Sequence, residues 1–206
     1  IKKENVDLNL CDKYNGETPL MIAINNKNIE IAEILIHSQK TNINARSFYM
    51  ETALSIATKK KMPKIVDLII NNPNFDPDES RLNYSFCISI DDKKRCRASS
   101  YTNEISLKLI SLKNLDVNYI PNVNSYTKET ALIKAVNNDD VELLDMILHH
   151  PSFDLVKSHL KKAIFAAIQK DNVKVFKKLL VFVNNDINLH LQNDECNTVL
   201  REAEND

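Results

Sequence analysis

Two segments of this 206-residue chain superimpose without gaps: Gly16-Glu17-Thr18-Pro19-Leu20-Met21-Ile22-Ala23 and Met50-Glu51-Thr52-Ala53-Leu54-Ser55-Ile56-Ala57. Their threonines lie 34 residues apart. A third copy runs Lys128-Glu129-Thr130-Ala131-Leu132-Ile133-Lys134-Ala135, and a partial fourth runs Cys196-Asn197-Thr198-Val199-Leu200-Arg201-Glu202-Ala203. A period of this length is the mark of stacked supersecondary units, each too small to bury its own apolar face. Eight residues after each alanine a second apolar run begins: Ile31, Ile34 and Leu35; Ile65, Leu68 and Ile69; Leu143, Met146 and Ile147. Their i, i+3, i+4 spacing describes one helix face. Each run ends in a polar stop such as Asn42-Ile43-Asn44, Phe75-Asp76-Pro77, Asp116-Val117-Asn118, Phe153-Asp154-Leu155 or Asp186-Ile187-Asn188, and Asn9 closes a repeat that begins before Ile1.

The segment Thr18-Pro19-Leu20-Met21-Ile22-Ala23, which recurs elsewhere as Thr-Ala-Leu-x-x-Ala, resembles the ankyrin repeat, lacking only the histidine at Met21. The resemblance implies an all-α solenoid of stacked helix-turn-helix units with short β-hairpin fingers. As one array over 1–206 it divides at about 12–44, 45–78, 79–118, 119–155 and 156–188, with a partial repeat at 191–206. The expected helix pairs are 19–25 with 29–37, 53–59 with 63–70, 86–92 with 104–111, 131–137 with 141–148, and 158–169 with 173–182. Each threonine is placed to cap a first helix, and Pro19 fits its first turn. Leu20, Ala23, Leu54, Ala57, Leu132, Ala135 and Ala167 are expected in the core. Leucine in place of Ala57 would overpack it.

The copies depart from the pattern in three ways. Ala57 and Ala135 are 78 residues apart, so the repeat between them is degenerate and expanded by the stretch 91–102, a polar insertion expected to be mobile. The repeat after 156 has lost the threonine. Finally, the family places glycine between its two helices, where φ is often positive, but this chain has Lys27, Lys61, Asp139 and Asp171 there. Asp tolerates that conformation and lysine does so less readily, so the array is expected to be less stable than a consensus one.

Composition removes several function classes. The chain holds one glycine, Gly16, so a P-loop, a dinucleotide fingerprint and a nucleophile elbow are all excluded. Its net charge is −1, which disfavours nucleic acid as a partner. No apolar run approaches the roughly 20 residues needed to span a bilayer, and the N-terminus does not read as a signal peptide. Ile1 suggests a piece of a longer protein. Cys11, Cys87, Cys96 and Cys196 are scattered, which points to free thiols and a cytoplasmic location, with a nuclear one as the second choice. His149 and His150 read as helix-end cations, and no metal or cofactor is expected.

Function is expected to lie in a surface. No nucleophile, base and oxyanion set is visible, so catalysis within 1–206 is not expected. The family resemblance implies a non-catalytic scaffold or targeting module that binds another protein. The alternative is a substrate-docking arm for a catalytic domain outside this sequence. Counting from each threonine, the finger positions are Tyr14, Phe48, Tyr49 and Tyr126, and the exposed ends of the first helices carry Asn25, Asn26, Lys59, Lys60, Asn137, Asn138, Gln169 and Lys170. Aromatics are 6% of the chain, yet four fall on fingers, where they suit interface anchors. The competing expectation is that Phe48 and Tyr49 pack on the neighbouring finger. The basic cluster Lys93-Lys94-Arg95-Cys96-Arg97 precedes Ser99 and Ser100, which resemble the acceptor of a basophilic kinase.

Overall fold

The computed structural model describes residues 7–90, 101–121 and 129–183. These hold ten helices: α1 (Pro19–Asn25), α2 (Ile29–His37), α3 (Ala53–Lys59), α4 (Pro63–Ile70), α5 (Leu82–Ser89), α6 (Tyr101–Ile110), α7 (Ala131–Asn137), α8 (Val141–Leu148), α9 (Leu160–Gln169) and α10 (Val173–Leu180). The chain forms two compact units. One comprises Ile1–Ser89 with Ser99–Leu115; the other comprises Ile90–Ala98 with Asp116–Asp206. In the first, α1/α2, α3/α4 and α5/α6 pair and stack; in the second, α7/α8 and α9/α10 do so.

Local chemistry explains the repeated helix starts. Thr18, Thr52 and Thr130 accept hydrogen bonds on Oγ1 from the backbone N–H of Met21 (3.3 Å), Ser55 (3.1 Å) and Ile133 (3.4 Å). Each bond satisfies a donor that the first helical turn cannot. Ser55 returns the favour at Thr52, completing a capping box. The same hydroxyls also join neighbouring helix pairs: Thr52 donates to the Ser80 carbonyl at 2.9 Å, and Thr130 donates to that of Ser158 at 2.7 Å. Behind the caps, Leu20, Ala23, Leu54, Ala57, Leu132, Ala135 and Ala167 are all buried, as the register requires.

The turns between paired helices take the left-handed conformation at the four expected positions. Lys27 and Lys61 have φ of 57°, Asp139 of 54° and Asp171 of 51°. The tight two-helix connection demands this whether or not glycine is present.

A ladder of asparagines ties consecutive pairs together on the loop side. Asn9 donates its amide to the Lys40 carbonyl (2.8 Å) and accepts from the Asn42 N–H (2.6 Å). Asn44 does the same with Asn74 (2.7 Å) and Asp76 (3.1 Å). In the second unit Asn118 does so with Ser152 (2.5 Å) and Asp154 (3.1 Å). In each case carbonyl and N–H belong to residues two apart, so the side-chain amide substitutes for a peptide group and satisfies backbone that would otherwise lose partners.

Three expectations need refinement. The described fingers are hairpins of minimal length: among the described residues the antiparallel bridge between Arg46 and Thr52 is isolated. Each of the two described fingers has room for about one ladder step before its chain reverses, and Asp12 and Ser47 side chains help hold the turns. The helix expected at 86–92 is α5, which begins at Leu82. The repeat has no finger to delay it. Asp76 Oδ1 accepts from the N–H groups of Asp78 and Glu79, both at 2.9 Å, and Arg81 turns the chain at φ 56° straight into the helix. The helix that lost its threonine, α9, starts identically: Asp154 Oδ1 holds Val156 (2.9 Å) and Lys157 (3.0 Å), and His159 turns at φ 57°. Third, α6 starts at Tyr101, so the end of the 91–102 insertion is helical. Its remainder, and the partial repeat at 191–206, lie outside the described residues.

Candidate protein-binding surface

The first unit carries two neighbouring fingers. In the first, Asp12 accepts from the N–H groups of Tyr14 (3.1 Å), Asn15 (3.1 Å) and Glu17 (2.6 Å). The bond from Glu17, followed by those from the other finger amides, holds the Asp12 carboxyl below its ordinary pKa. The second finger closes through Ser47 N–H to the Glu51 carbonyl and Met50 N–H to that of Ser47, both at 2.9 Å. The fingers meet where Phe48 N–H donates to the Asn15 carbonyl at 2.8 Å. The Phe48 ring lies on the Cα of Gly16 so closely that an added Cβ would come within 2.6 Å of Cδ1. Phe48 nevertheless remains 68% exposed, Tyr49 70% and Tyr14 87%. Packing on the next finger and exposure to solvent are the two alternatives for this ring. Phe48 does both, with one part of the ring on Gly16 and the rest open. Tyr126 lies outside the described residues, as do Ser99 and Ser100.

The first-helix ends are organised by residues the sequence reading passed over. Glu17, Glu51 and Glu129 each precede a capping threonine and reach eight residues along the helix: Asn25 Nδ2 donates to Glu17 at 2.7 Å, Asn137 to Glu129 at 3.3 Å, and Lys59 forms an ion pair with Glu51. The signal was present, because the same Glu-Thr pair recurs in all three copies. Lys59 stands 5.6 Å over the Tyr84 ring and Arg81 stands 4.2 Å over it, while Arg81 donates to the Met50 carbonyl at 2.6 Å. Burial opposes the Lys59 charge, but Glu51 outweighs it and raises the pKa above the usual lysine value. Asn26 and Lys60 are exposed. In the second unit Gln169 and Lys170 are exposed, Asn137 and Asn138 are half-buried, and Lys170 donates to the Asn137 carbonyl at 2.5 Å. The structure thus brings Tyr14, Phe48 and Tyr49 onto adjoining fingers and Gln169–Lys170 beside Asn137.

Among the described residues no three of His, Cys, Asp and Glu are grouped to hold a metal. His149 Nδ1 donates to the Asp145 carbonyl at 2.8 Å, and its ring meets Phe182 edge-on at 5.5 Å. A shallow, open depression along α2 is lined by Glu30, Glu33, Ile34, His37 and Ser38, with Glu33 committed to Lys64 at 2.5 Å. No described helix is long and apolar enough to cross a membrane.

Comparison with known proteins agrees with this geometry. Residues 1–80 match the family described as ankyrin repeats, in three copies. Residues 1–80 carry ankyrin repeats. The fold comparison reaches beyond residue 80. A chain in the structure of the predatory endopeptidase Bd0816 from Bdellovibrio bacteriovorus in complex with immunity protein Bd3460 aligns with a TM-score of 0.59 at 18% identity, covering 95% of this chain and 93% of that one. The ankyrin repeat domain of Bcl-3, a member of the IkappaB protein family, aligns with a TM-score of 0.53 at 15% identity, covering 92% and 98%. At such identities the likeness concerns the all-α ankyrin fold. No curated protein sequence matches.

Proposed function

We propose that this ankyrin-repeat chain is a non-catalytic scaffold or targeting module that binds another protein through its fingers and first-helix ends. The observation that carries the reading is the cluster of Tyr14, Phe48 and Tyr49, which are exposed on two fingers locked together through Gly16. A rigid aromatic anchor loses little conformational entropy on binding, which is why such residues dominate interface energetics. Lys59 and Lys60, with Asn25 and Asn26, belong to the same unit, and Asn137, Asn138, Gln169 and Lys170 are the corresponding positions of the second unit. The Bdellovibrio structure, in which an endopeptidase is complexed with an immunity protein, supports a protein as the partner class. A cytoplasmic location is part of the same proposal, resting on the scattered cysteines.

The test uses the chain as bait, identifies the captured protein by mass spectrometry, and measures its affinity for Phe48→Ala with Tyr49→Ala and for Lys59→Glu with Lys60→Glu. Lost binding at an unchanged melting temperature supports the finger surface. A loss of stability in the aromatic pair, with binding restored when the protein is refolded at low temperature, assigns these rings to packing alone. Full binding by both double variants overturns the surface.

A further inference from the structure

The second unit separates its charge between successive helix pairs. Residues 129–154 carry six carboxylates against Lys134, a net −5, while residues 157–178 carry seven lysines against Asp171, a net +6. Averaged over the chain this polarity disappears into a net charge of −1. Part of it is used internally: Lys178 grips both oxygens of Asp145 at 2.6 Å, and Lys157 stands 3.9 Å from Asp154. Lys161, Lys174 and Lys177 are exposed. Val173, at the start of α10, and Val181, just past its end, are also exposed, at 55% and 79%.

We propose that the α9/α10 helix pair is a docking surface for a short acidic segment of another protein, with apolar residues interspersed among its carboxylates. Charge complementarity sets the sign of the partner, because concentrated lysines raise the local potential and draw an anionic ligand. Val173 and Val181 give that ligand an apolar component. The neighbouring α7/α8 pair sets its length. Stacked helices lie about 8–10 Å apart, comparable to the Debye length of about 8 Å at physiological salt. A nucleic-acid backbone or an anionic bilayer extends well beyond one helix pair and meets the carboxylates of residues 129–154. A short peptide segment can stay on the lysines. Among the described residues of α9 and α10 the lysines have no interleaved aromatic platform for bases, since Phe165 is buried and Phe176 half-buried. This surface is independent of the finger aromatics and stands or falls separately from them.

The experiment measures fluorescence anisotropy of a fluorescein-labelled hexapeptide built of two Glu-Glu-Leu triplets, titrated with the whole 206-residue chain. A labelled 20-base-pair DNA duplex and vesicles containing phosphatidylserine are titrated in parallel. The expected result is peptide binding that weakens as salt rises, falls about tenfold or more in Lys174→Glu with Lys177→Glu, and is unchanged in Lys113→Glu, an exposed lysine of the first unit. Both altered lysines of the first variant are exposed, and an unchanged circular dichroism melt certifies its fold. Absence of peptide binding overturns the proposal, as does binding indifferent to the Lys174 and Lys177 reversal. Tighter binding of the duplex or the vesicles, lost in the same variant, also overturns it and reassigns the surface to a phosphate polymer or a membrane.

Discussion

The Phe48 ring sits on Gly16 of the neighbouring finger, leaving no space for a Cβ: the nearest ring carbon would be 2.6 Å away. Gly16 also has φ of 68°, so its one position in the chain meets two demands at once, a left-handed turn and a close aromatic approach. Gly16→Ala is expected to destabilise the first unit by about 2 kcal/mol or more. Adding Phe48→Ala should recover the steric part and leave the backbone part. Chemical denaturation of the two single variants and the double variant gives the coupling directly. Strict additivity would show that ring and glycine do not meet.

Met50 and Lys27 show the opposite situation, a side chain at a left-handed position. Lys27 has φ of 57° between α1 and α2. Lys27→Gly should stabilise the protein by about 0.5–1 kcal/mol, the relief of strain being partly offset by greater freedom of the unfolded chain. A rise in Tm is the readout. Asp139→Gly should gain less, because aspartate tolerates the conformation and Asp139 accepts from Asn172 at 2.6 Å.

Asn44 carries one rung of the loop ladder. Asn44→Ala strands the Asn74 carbonyl and the Asp76 N–H and removes the acceptor of the Ser80 hydroxyl at 2.5 Å. The expected cost is about 1–2 kcal/mol, read from urea unfolding. Amide hydrogen exchange should speed up at Asp76 while remaining slow within α1.

Acid should unlock loops through Asp12 and Asp154. The Glu17 N–H, followed by other finger amides, lowers the Asp12 pKa; the Lys157 N–H, followed by Val156 and the Lys157 charge, lowers that of Asp154. Both folded values lie below the reference of 3.8. Their contribution to stability is therefore complete above pH 3.8 and lost as pH falls through the folded values. Tm plotted against pH should fall more steeply below pH 3.8 in the parent than in Asp12→Ala with Asp154→Ala. Parallel acid limbs would show that neither carboxylate is linked to folding.

At Thr18, Thr52 and Thr130 the sequence was a sufficient guide. It set α1, α3 and α7, their caps, their buried leucines and alanines, and the left-handed turns at Lys27, Lys61 and Asp139, because these follow from position within a fixed period. It also placed aromatics on the fingers by counting from the same threonines. Where the threonine was lost, counting still found Ala167 and the left-handed turn at Asp171, but the helix starts moved. The start of α5 at Leu82 depends on an aspartate collecting two amides and on Arg81 accepting a positive φ, and neither carries a periodic signal.

Other features required the stack itself. The Asn44 amide finds its partners 30 and 32 residues away, and the Thr52 hydroxyl finds Ser80 only when the next pair is in place. Phe48 reads in sequence as one more finger residue, and its contact with Gly16 appears only when two fingers lie side by side. The division of charge between residues 129–154 and 157–178 was legible as letters. It becomes a surface only once helix formation exposes Lys161, Lys174 and Lys177 and turns Val175 and Leu179 inward. Periodicity specifies what each residue does within its own repeat, since those interactions are local. The contacts between repeats, and the surfaces they leave open, are decided by tertiary packing, because their partners lie a full period away and have no local signature.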